Sequence, residues 1–170
     1  MNQYNDLDRN QRLAEIAAAE TMKFYHGNMP GALSTLQPIV ESFPVSESWT
    51  LDSWDNVWCG AFVYHCVILS GTRLPVRYPD VRITCNFAGV IAWMQWAQLS
   101  EVNKWVDVSQ VPQIGDIVLL QQFCNIGYPD HMGIITAVDS EWIEIAEGNF
   151  NNMTAIIKHN YNNVFGYIRL

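Results

Sequence analysis

Apolar residues recur at helical spacing in the first hundred residues of the chain and at strand spacing in the rest. Residues three or four apart share one side of a helix, so apolar positions with this spacing predict amphipathic helices. The segment 59–69 is almost wholly apolar and Gly71 follows it, which predicts a buried helix that ends before the glycine. The predicted helices are 10–26, 32–42, 59–69 and 87–99.

Short stretches rich in apolar and β-branched residues follow from Val111 onwards, and they predict strands. Residues 131–138 and 142–149 flank Asp139-Ser140-Glu141, a polar connection typical of a hairpin. The predicted strands are 116–121, 131–138, 142–149, 153–160 and 164–170. Helices followed by antiparallel strands indicate an α+β fold, and a length of 170 residues suits one domain over 1–170.

Cys59 is the first residue of the predicted buried helix. The N–H groups of a first helical turn have no acceptor within the helix, and the helix dipole is positive there. Both features stabilise a thiolate and supply donors for an oxyanion, whereas a cysteine that only fills space gains nothing from this position. Cys59 is therefore the candidate nucleophile.

His131 opens one strand of the predicted hairpin, and Glu147 and Asn149 close the other. A hairpin that closes directly at its polar connection pairs His131 with Asn149 and Gly133 with Glu147. These side chains then share one face, and a base with an orienting group beside it is what a thiol nucleophile requires. We expect this face to meet the core and the nucleophile helix. The isoleucines expected on the same face are Ile135, Ile143 and Ile145.

Four short segments, in this order, carry a resemblance to a known family: Trp-Cys-Gly-Ala-Phe-Val at 58–63, Gly-Asp-Ile-Val at 115–118, His-Met-Gly-Ile at 131–134 and Glu-Gly-Asn at 147–149. Together they resemble the CHAP group of cysteine, histidine-dependent amidohydrolases/peptidases, which is related to the NlpC/P60 enzymes in the papain-like superfamily. The resemblance implies a papain-like α+β fold. It also implies cleavage of a peptidoglycan amide bond, either between muramic acid and L-alanine or within the stem or bridge peptide.

The same resemblance assigns roles to the candidate catalytic residues. It implies that Cys59 is the nucleophile and that His131 acts first as general base and then as general acid. Glu147 is ranked first as the group that orients His131, and Asn149 is the alternative. No cofactor is implied. Some relatives bind calcium before the cysteine, but only Asp52 and Asp55 offer carboxylates here, so no metal is predicted.

A substrate groove is expected near Cys59. Asn56, Trp58 and Tyr128 are its first candidates, because aromatic faces stack on sugars and peptides and an amide next to the nucleophile can donate to an oxyanion. Further aromatic candidates are Trp54, Trp93 and Trp96. The alternative for each aromatic residue is burial in the core.

The net charge of −8 argues against nucleic acid as a partner, since clustered Lys and Arg are missing. No apolar run is long enough to cross a bilayer, and residues 1–12 do not read as a secretory signal. We therefore expect synthesis in the cytoplasm and access to the wall by holin-mediated or dedicated release, with a holin or an immunity protein as possible partners and a monomer favoured. The acidic charge also motivates two alternatives: an amidase with a substrate other than cell wall, and a non-catalytic interaction domain.

The remaining cysteines and histidines have simpler interpretations. Cys66 and Cys85 are expected as buried small hydrophobes, and His65 as a structural residue on the far side of the helix from Cys59. His26 and His159 are expected at the surface, near the ends of their segments.

Overall fold

The computed structural model describes residues 3–43, 58–123 and 127–170, with side chains from residue 9 onwards. In these residues helices come first and strands follow, which confirms the α+β prediction. The helices are α1 Gln3–Thr21, α2 Gln37–Val40, α3 Cys59–Leu69 and α4 Val90–Ala97. Within the described residues, no helix combines the length and the apolar character needed to span a bilayer.

The strands form one antiparallel sheet in the order β1-β6-β2-β3-β4-β5. They are β1 Trp105–Val106, β2 Ile117–Leu120, β3 His131–Val138, β4 Trp142–Phe150, β5 Met153–Asn160 and β6 Val164–Ile168. A 3-10 turn, Tyr161–Asn163, connects β5 to β6. The sheet order places β3 and β4 side by side, so the first residue of β3 and the last residues of β4 come together.

Helix α3 is the central element of the main core, since every residue from Cys59 to Val67 is buried. It packs against β3 and β4, and α1 packs against the same two strands and against α3. The strand residues that share this core include Met132, Ile134 and Ala146. Burial on nearly all sides explains why the helix sequence is apolar without a polar face.

The prediction that the face of the hairpin with Ile135, Ile143 and Ile145 meets helix α3 is wrong. Ile135, Ile143 and Ile145 belong to a second apolar cluster, together with Val118, Leu120 and Tyr167, and not to the core that contains α3. Both faces of the sheet are apolar in this region, so alternation alone could not identify which face meets the helix. His131 is the first residue of β3 and Cys59 the first of α3, so they meet at the end of the helix–sheet interface.

The Gly-Asp pair before β2 makes two tertiary contacts, one with α1 and one with the residue that follows β6. Gly115 has a φ of 86°, and a methyl group there would overlap the backbone of Asn10 in α1. The buried Asp116 carboxylate accepts two hydrogen bonds from Arg169, at 2.8 Å from Nε and 2.7 Å from the terminal nitrogen. This bidentate pair ties the residue after β6 to the start of β2.

The predicted helix at 32–42 is shortened to α2. Residues before it make backbone hydrogen bonds to an earlier loop instead: Thr35 N–H donates to the carbonyl of His26, and Met29 and Ala32 bond each other. Pro38 stands at the start of α2, where its missing N–H has no helical acceptor to lose. These loop contacts override the helical pattern that the sequence suggested.

Candidate active site

Cys59 begins α3 and is buried, with 7% of its surface exposed. Trp58 precedes it as the N-cap and supplies no side-chain hydrogen bond to the first turn. Gly60 follows, and a methyl group there would overlap the carbonyl oxygen of Ala88. The segment before α4 therefore crosses the beginning of α3 at close range, which only glycine permits, and it forms one wall beside the thiol.

Trp58 connects α3 to the β4–β5 turn. Its indole Nε1 donates to Asn152 Oδ1 at 3.1 Å, and the ring is wholly buried. A methyl group on Gly148 would lie 2.8 Å from this ring and 2.5 Å from the Cβ of Phe62. The prediction that Trp58 lines a substrate groove is wrong, because its apolar ring packs between helix and sheet. This packing brings the end of β4 against the nucleophile helix.

His131 lies between Cys59 and Glu147. It is almost wholly buried, its Nε2 is hydrogen-bonded to Glu147 Oε2, and its ring also takes part in a hydrogen bond with Cys59. Gly133 pairs with Glu147 across the strands, as predicted, and its missing side chain leaves room beside the Glu147 Cβ. Because Nε2 is engaged by Glu147, the other ring nitrogen, Nδ1, is the one available to the thiol.

The pKa values of the pair follow from this geometry. Burial by itself lowers the pKa of His131, but hydrogen bonding and charge interaction with Cys59 and Glu147 outweigh burial and raise the pKa to about 10. Burial raises the pKa of Glu147, but its hydrogen bonds to His131 and His159 outweigh this effect, so the pKa lies below its usual value. The structure thus favours the imidazolium form of His131 beside Cys59 and Glu147, and an imidazolium is the partner that a thiolate nucleophile needs.

A cavity of about 210 Å³ opens beside the Cys59 thiol. Its lining residues are Cys59, Ala88, Gly89, Val90, Phe123, Asp130, His131 and Asn149. A second, more open cavity of about 530 Å³ is lined by Phe123, Asn149, Asn151 and Asn152. Because Phe123 and Asn149 line both cavities, the two adjoin, and a substrate can extend from the thiol along the end of β4.

The other predicted site residues differ in position. Asn149 lies at a bulge of β4 with a φ of 64° and lines the cavity with Cys59 and His131. Tyr128 is 56% exposed, and its contact with substrate stays a prediction. Asn56 and Trp54 lie outside the described residues. Trp93 and Trp96 are buried in the core, as the alternative interpretation had it.

Two residues of the site were missed by the sequence analysis, Phe123 and Asp130. The Phe123 ring, 63% exposed, meets the His131 ring edge-on with the centroids 5.5 Å apart. The Asp130 carboxylate accepts the N–H groups of Gln122 and Phe123, at 2.7 and 2.9 Å. Asp130 therefore holds the segment that carries Phe123 over the imidazole. Its position directly before the histidine is the signal that was available in the sequence.

His159 is a third missed residue, and its expected surface role is wrong. Its Nε2 lies 2.7 Å from Glu147 Oε1, and only 12% of its side chain is exposed. Ala155 pairs with Glu147, so residues 155, 157 and 159 of β5 share the face of Glu147. The parity of this strand indicates the shared face, but not the contact, since His159 pairs with Ile143, four residues before Glu147 in β4.

His65 and Cys66, at the other end of α3, have structural roles. The His65 ring bonds Glu20 at 3.2 Å and Ser42 at 2.9 Å, and so connects α3 to α1 and to the end of α2. Cys66 is wholly buried, and burial raises the pKa of its thiol. In the part of the chain that the structure describes, no three His, Cys, Asp or Glu side chains are grouped so that they could hold a metal ion. Asp52 and Asp55 lie outside that part.

The comparison with protein-family models gives a match. A family model described as the CHAP domain matches residues 51–149, which is more than half of the chain and includes Cys59, His131, Glu147 and Asn149. Neither the comparison with curated proteins nor the comparison with solved structures gives a match.

Proposed function

This chain belongs to the CHAP domain family, and from that premise we propose that it is a papain-like, cysteine-dependent peptidoglycan hydrolase. Its reaction is the cleavage of an amide, either the N-acetylmuramoyl-L-alanine bond or a bond of the stem or bridge peptide. The observation that carries the proposal is the contact series Cys59–His131–Glu147 at a cavity beside the first turn of α3. A nucleophile, a base and an orienting group are the parts that acyl transfer through a thiol requires.

The first half of the reaction forms a thioester. Cys59 transfers its proton to His131, and the resulting thiolate attacks the carbonyl carbon of the scissile amide. The backbone N–H of Cys59 donates to the oxygen that becomes negative, because it belongs to the helix turn without internal acceptors. His131 then gives its proton to the amine nitrogen, the C–N bond breaks, and the amine leaves while the acyl group stays on the sulfur.

The second half releases the acyl group. Water enters the cavity and loses a proton to the neutral His131 as its oxygen attacks the thioester carbon. The C–S bond breaks, a carboxylic acid leaves, and the thiolate and imidazolium are restored. Glu147 stabilises the imidazolium at both stages through Nε2, which leaves Nδ1 directed at the sulfur. Asn149 lines the same cavity and is assigned to substrate contact.

The decisive experiment adds purified protein to sacculi and measures new free amines and released muropeptides by mass spectrometry. We expect release by the wild type and by Cys66→Ala, because Cys66 is sealed in the core. Cys59→Ala should lose about 10⁴-fold or more in kcat. The masses of the fragments identify the bond. Equal release by the Cys59→Ala variant and the wild type would overturn the proposed nucleophile.

A second candidate function is an amidase of the same mechanism with a soluble, non-wall substrate. The net charge of −8 favours it, because an acidic enzyme gains no long-range attraction to an anionic wall. Selective alkylation of Cys59 near neutral pH, without release from any type of sacculus, would support this candidate. If the protein shows no release from sacculi and no selective alkylation of Cys59, both enzymatic functions are contradicted. A non-catalytic interaction domain is then the remaining candidate.

A further inference from the structure

The Glu147 carboxylate has an imidazole at each of its two oxygens. Oε2 meets His131 of β3, and Oε1 meets His159 Nε2 of β5 at 2.7 Å. The carboxylate itself is wholly buried. The mechanism described above uses only the first of these contacts, so the second histidine has no assigned role.

A buried carboxylate with one partner is incompletely held. It can rotate about its terminal bond, and its other oxygen loses hydration without a hydrogen-bond donor to replace it. His159 removes both problems, because an imidazole N–H donates to Oε1 and fixes the plane of the carboxylate. The position of His159 on the edge strand β5 is itself fixed by the pairing of that strand with β4.

We propose that His159 is a positioning residue of this active site: by holding Oε1 of Glu147, it keeps Oε2 on His131 and thereby keeps the imidazole aligned with the Cys59 sulfur. This inference rests on the proposed hydrolase function. It extends the series of contacts by one member, to Cys59–His131–Glu147–His159, contributed by α3, β3, β4 and β5. The titratable groups that interact with Glu147 are His131 and His159. Cys59 interacts with His131 and so affects Glu147 only indirectly.

The charge at Glu147 supplies a readout that simple packing would not change. His159 is one of the two hydrogen-bond partners that hold the pKa of Glu147 below its usual value. Without that donor the pKa of Glu147 rises, so the carboxylate becomes protonated at a higher pH. The acidic limb of the kcat/KM profile must then move to higher pH.

The test compares His159→Leu with His159→Gln. The glutamine amide nitrogen can occupy the place of Nε2 and donate to Oε1, whereas leucine fills the space without a donor. We expect His159→Leu to lower kcat by about 10- to 100-fold with KM little changed, and to move the acidic limb upward, as for other residues that orient a reacting group. His159→Gln should recover most of kcat and the wild-type acidic limb. Lys158→Gln, an exposed neighbour on the same strand, is the matched control and should resemble the wild type.

A second measurement separates this proposal from the hydrolase function. Histidine ¹⁵N NMR follows the titration of His131 without any substrate, and the rate of Cys59 alkylation reports on the thiolate. In His159→Leu we expect a lower pKa for His131 and slower alkylation at neutral pH, with both restored in His159→Gln. Equal behaviour of the two variants in kinetics and NMR would overturn the positioning role. If the wild type is inactive on sacculi but the NMR difference between His159→Leu and His159→Gln is observed, the proposed function fails and the positioning role of His159 stands.

Discussion

Glu147 is a wholly buried carboxylate bonded to the His131 ring, and with Cys59 it is one of the two groups that raise the pKa of this histidine. Glu147→Gln keeps an acceptor for the ring but removes the negative charge. Since Glu147 and Cys59 together raise the pKa of His131 to about 10, loss of one anion lowers this pKa. The alkaline limb of kcat/KM, which reports loss of the imidazolium proton, should move to lower pH by about 1–3 units.

Asn149→Ala is the matched comparison for this prediction. Asn149 lines the cavity and carries no charge, so its removal should lower kcat or raise KM and leave the alkaline limb in place. Full pH–rate profiles of both variants and the wild type provide the measurement. A shifted limb in Asn149→Ala together with an unshifted one in Glu147→Gln would transfer the orienting role to the asparagine.

At the scale of single residues, local sequence was informative wherever a residue type and its position in an element carried the chemistry. Cys59 at a helix start and His131 at a strand start are such positions. Gly133 pairs with Glu147 as predicted, but the predicted closing pair is wrong: Val138 pairs with Ile143 and not with Trp142, and a bulge between Ile135 and Ala137 restores the predicted register. His159 and Phe123 were missed because they act from other segments. Their roles depend on how β5 pairs with β4 and on how Asp130 folds the preceding loop.

The contact between β4 and α3 is the element-scale feature on which the site depends. Gly148 allows it, since a methyl group there would lie 2.5 Å from the Phe62 Cβ and 2.8 Å from the Trp58 ring. Gly148→Ala should destabilise the fold by about 1–3 kcal/mol through overpacking. It should also lower kcat by about tenfold or more at a temperature where the variant is folded, because β4 moves away from Cys59 and carries Glu147 with it.

Gly71→Ala, at the other end of α3, is the control for Gly148→Ala. Gly71 has a φ of 92° and open space around it, so alanine there costs about 1 kcal/mol of backbone strain without touching the site. Denaturant unfolding gives the stability of both variants, and kcat is measured on the folded protein. A normal kcat in Gly148→Ala would show that the close approach serves stability alone.

The elements themselves were predictable to different degrees. The bounds of α3, β3 and β5 agree with the sequence pattern, because each is a continuous run bounded by polar residues or glycine. The helix at 32–42 was overestimated since hydrogen bonds to His26 and Met29 hold the chain in a turn, and the two-residue strand β1 is too short to leave a pattern. The wrong face of the hairpin has a different cause, which is that both faces of the sheet are apolar.

At the scale of the whole molecule, the net charge of the protein does not favour contact with an anionic wall, although the local cavity can still hold a substrate. The chain has 17 acidic and 9 basic residues, which gives a net charge of −8. The proposed catalytic chemistry lies in a local cavity whose walls combine apolar residues and Asn149 with Cys59, Asp130 and His131. Contact with the proposed wall substrate would therefore arise at short range, in this cavity and its extension along Asn151 and Asn152. The net negative charge of the protein supplies no long-range attraction to an anionic wall.

Repulsion between the acidic protein and an anionic wall predicts that the rate of the proposed wall hydrolysis rises with ionic strength. Raising the ionic strength from about 0.01 to 0.15 M shortens the screening length from about 30 to 8 Å, so repulsion between the acidic enzyme and an anionic wall weakens. We expect the initial rate on intact sacculi to rise several-fold over this range. Sacculi stripped of their anionic polymers should show a smaller rise, and a soluble, uncharged peptide with the same scissile bond should show none, because only the local cavity acts on it. A rate on intact sacculi that falls steadily with salt would contradict this prediction, because it would mean that attraction between the enzyme and the wall outweighs their repulsion.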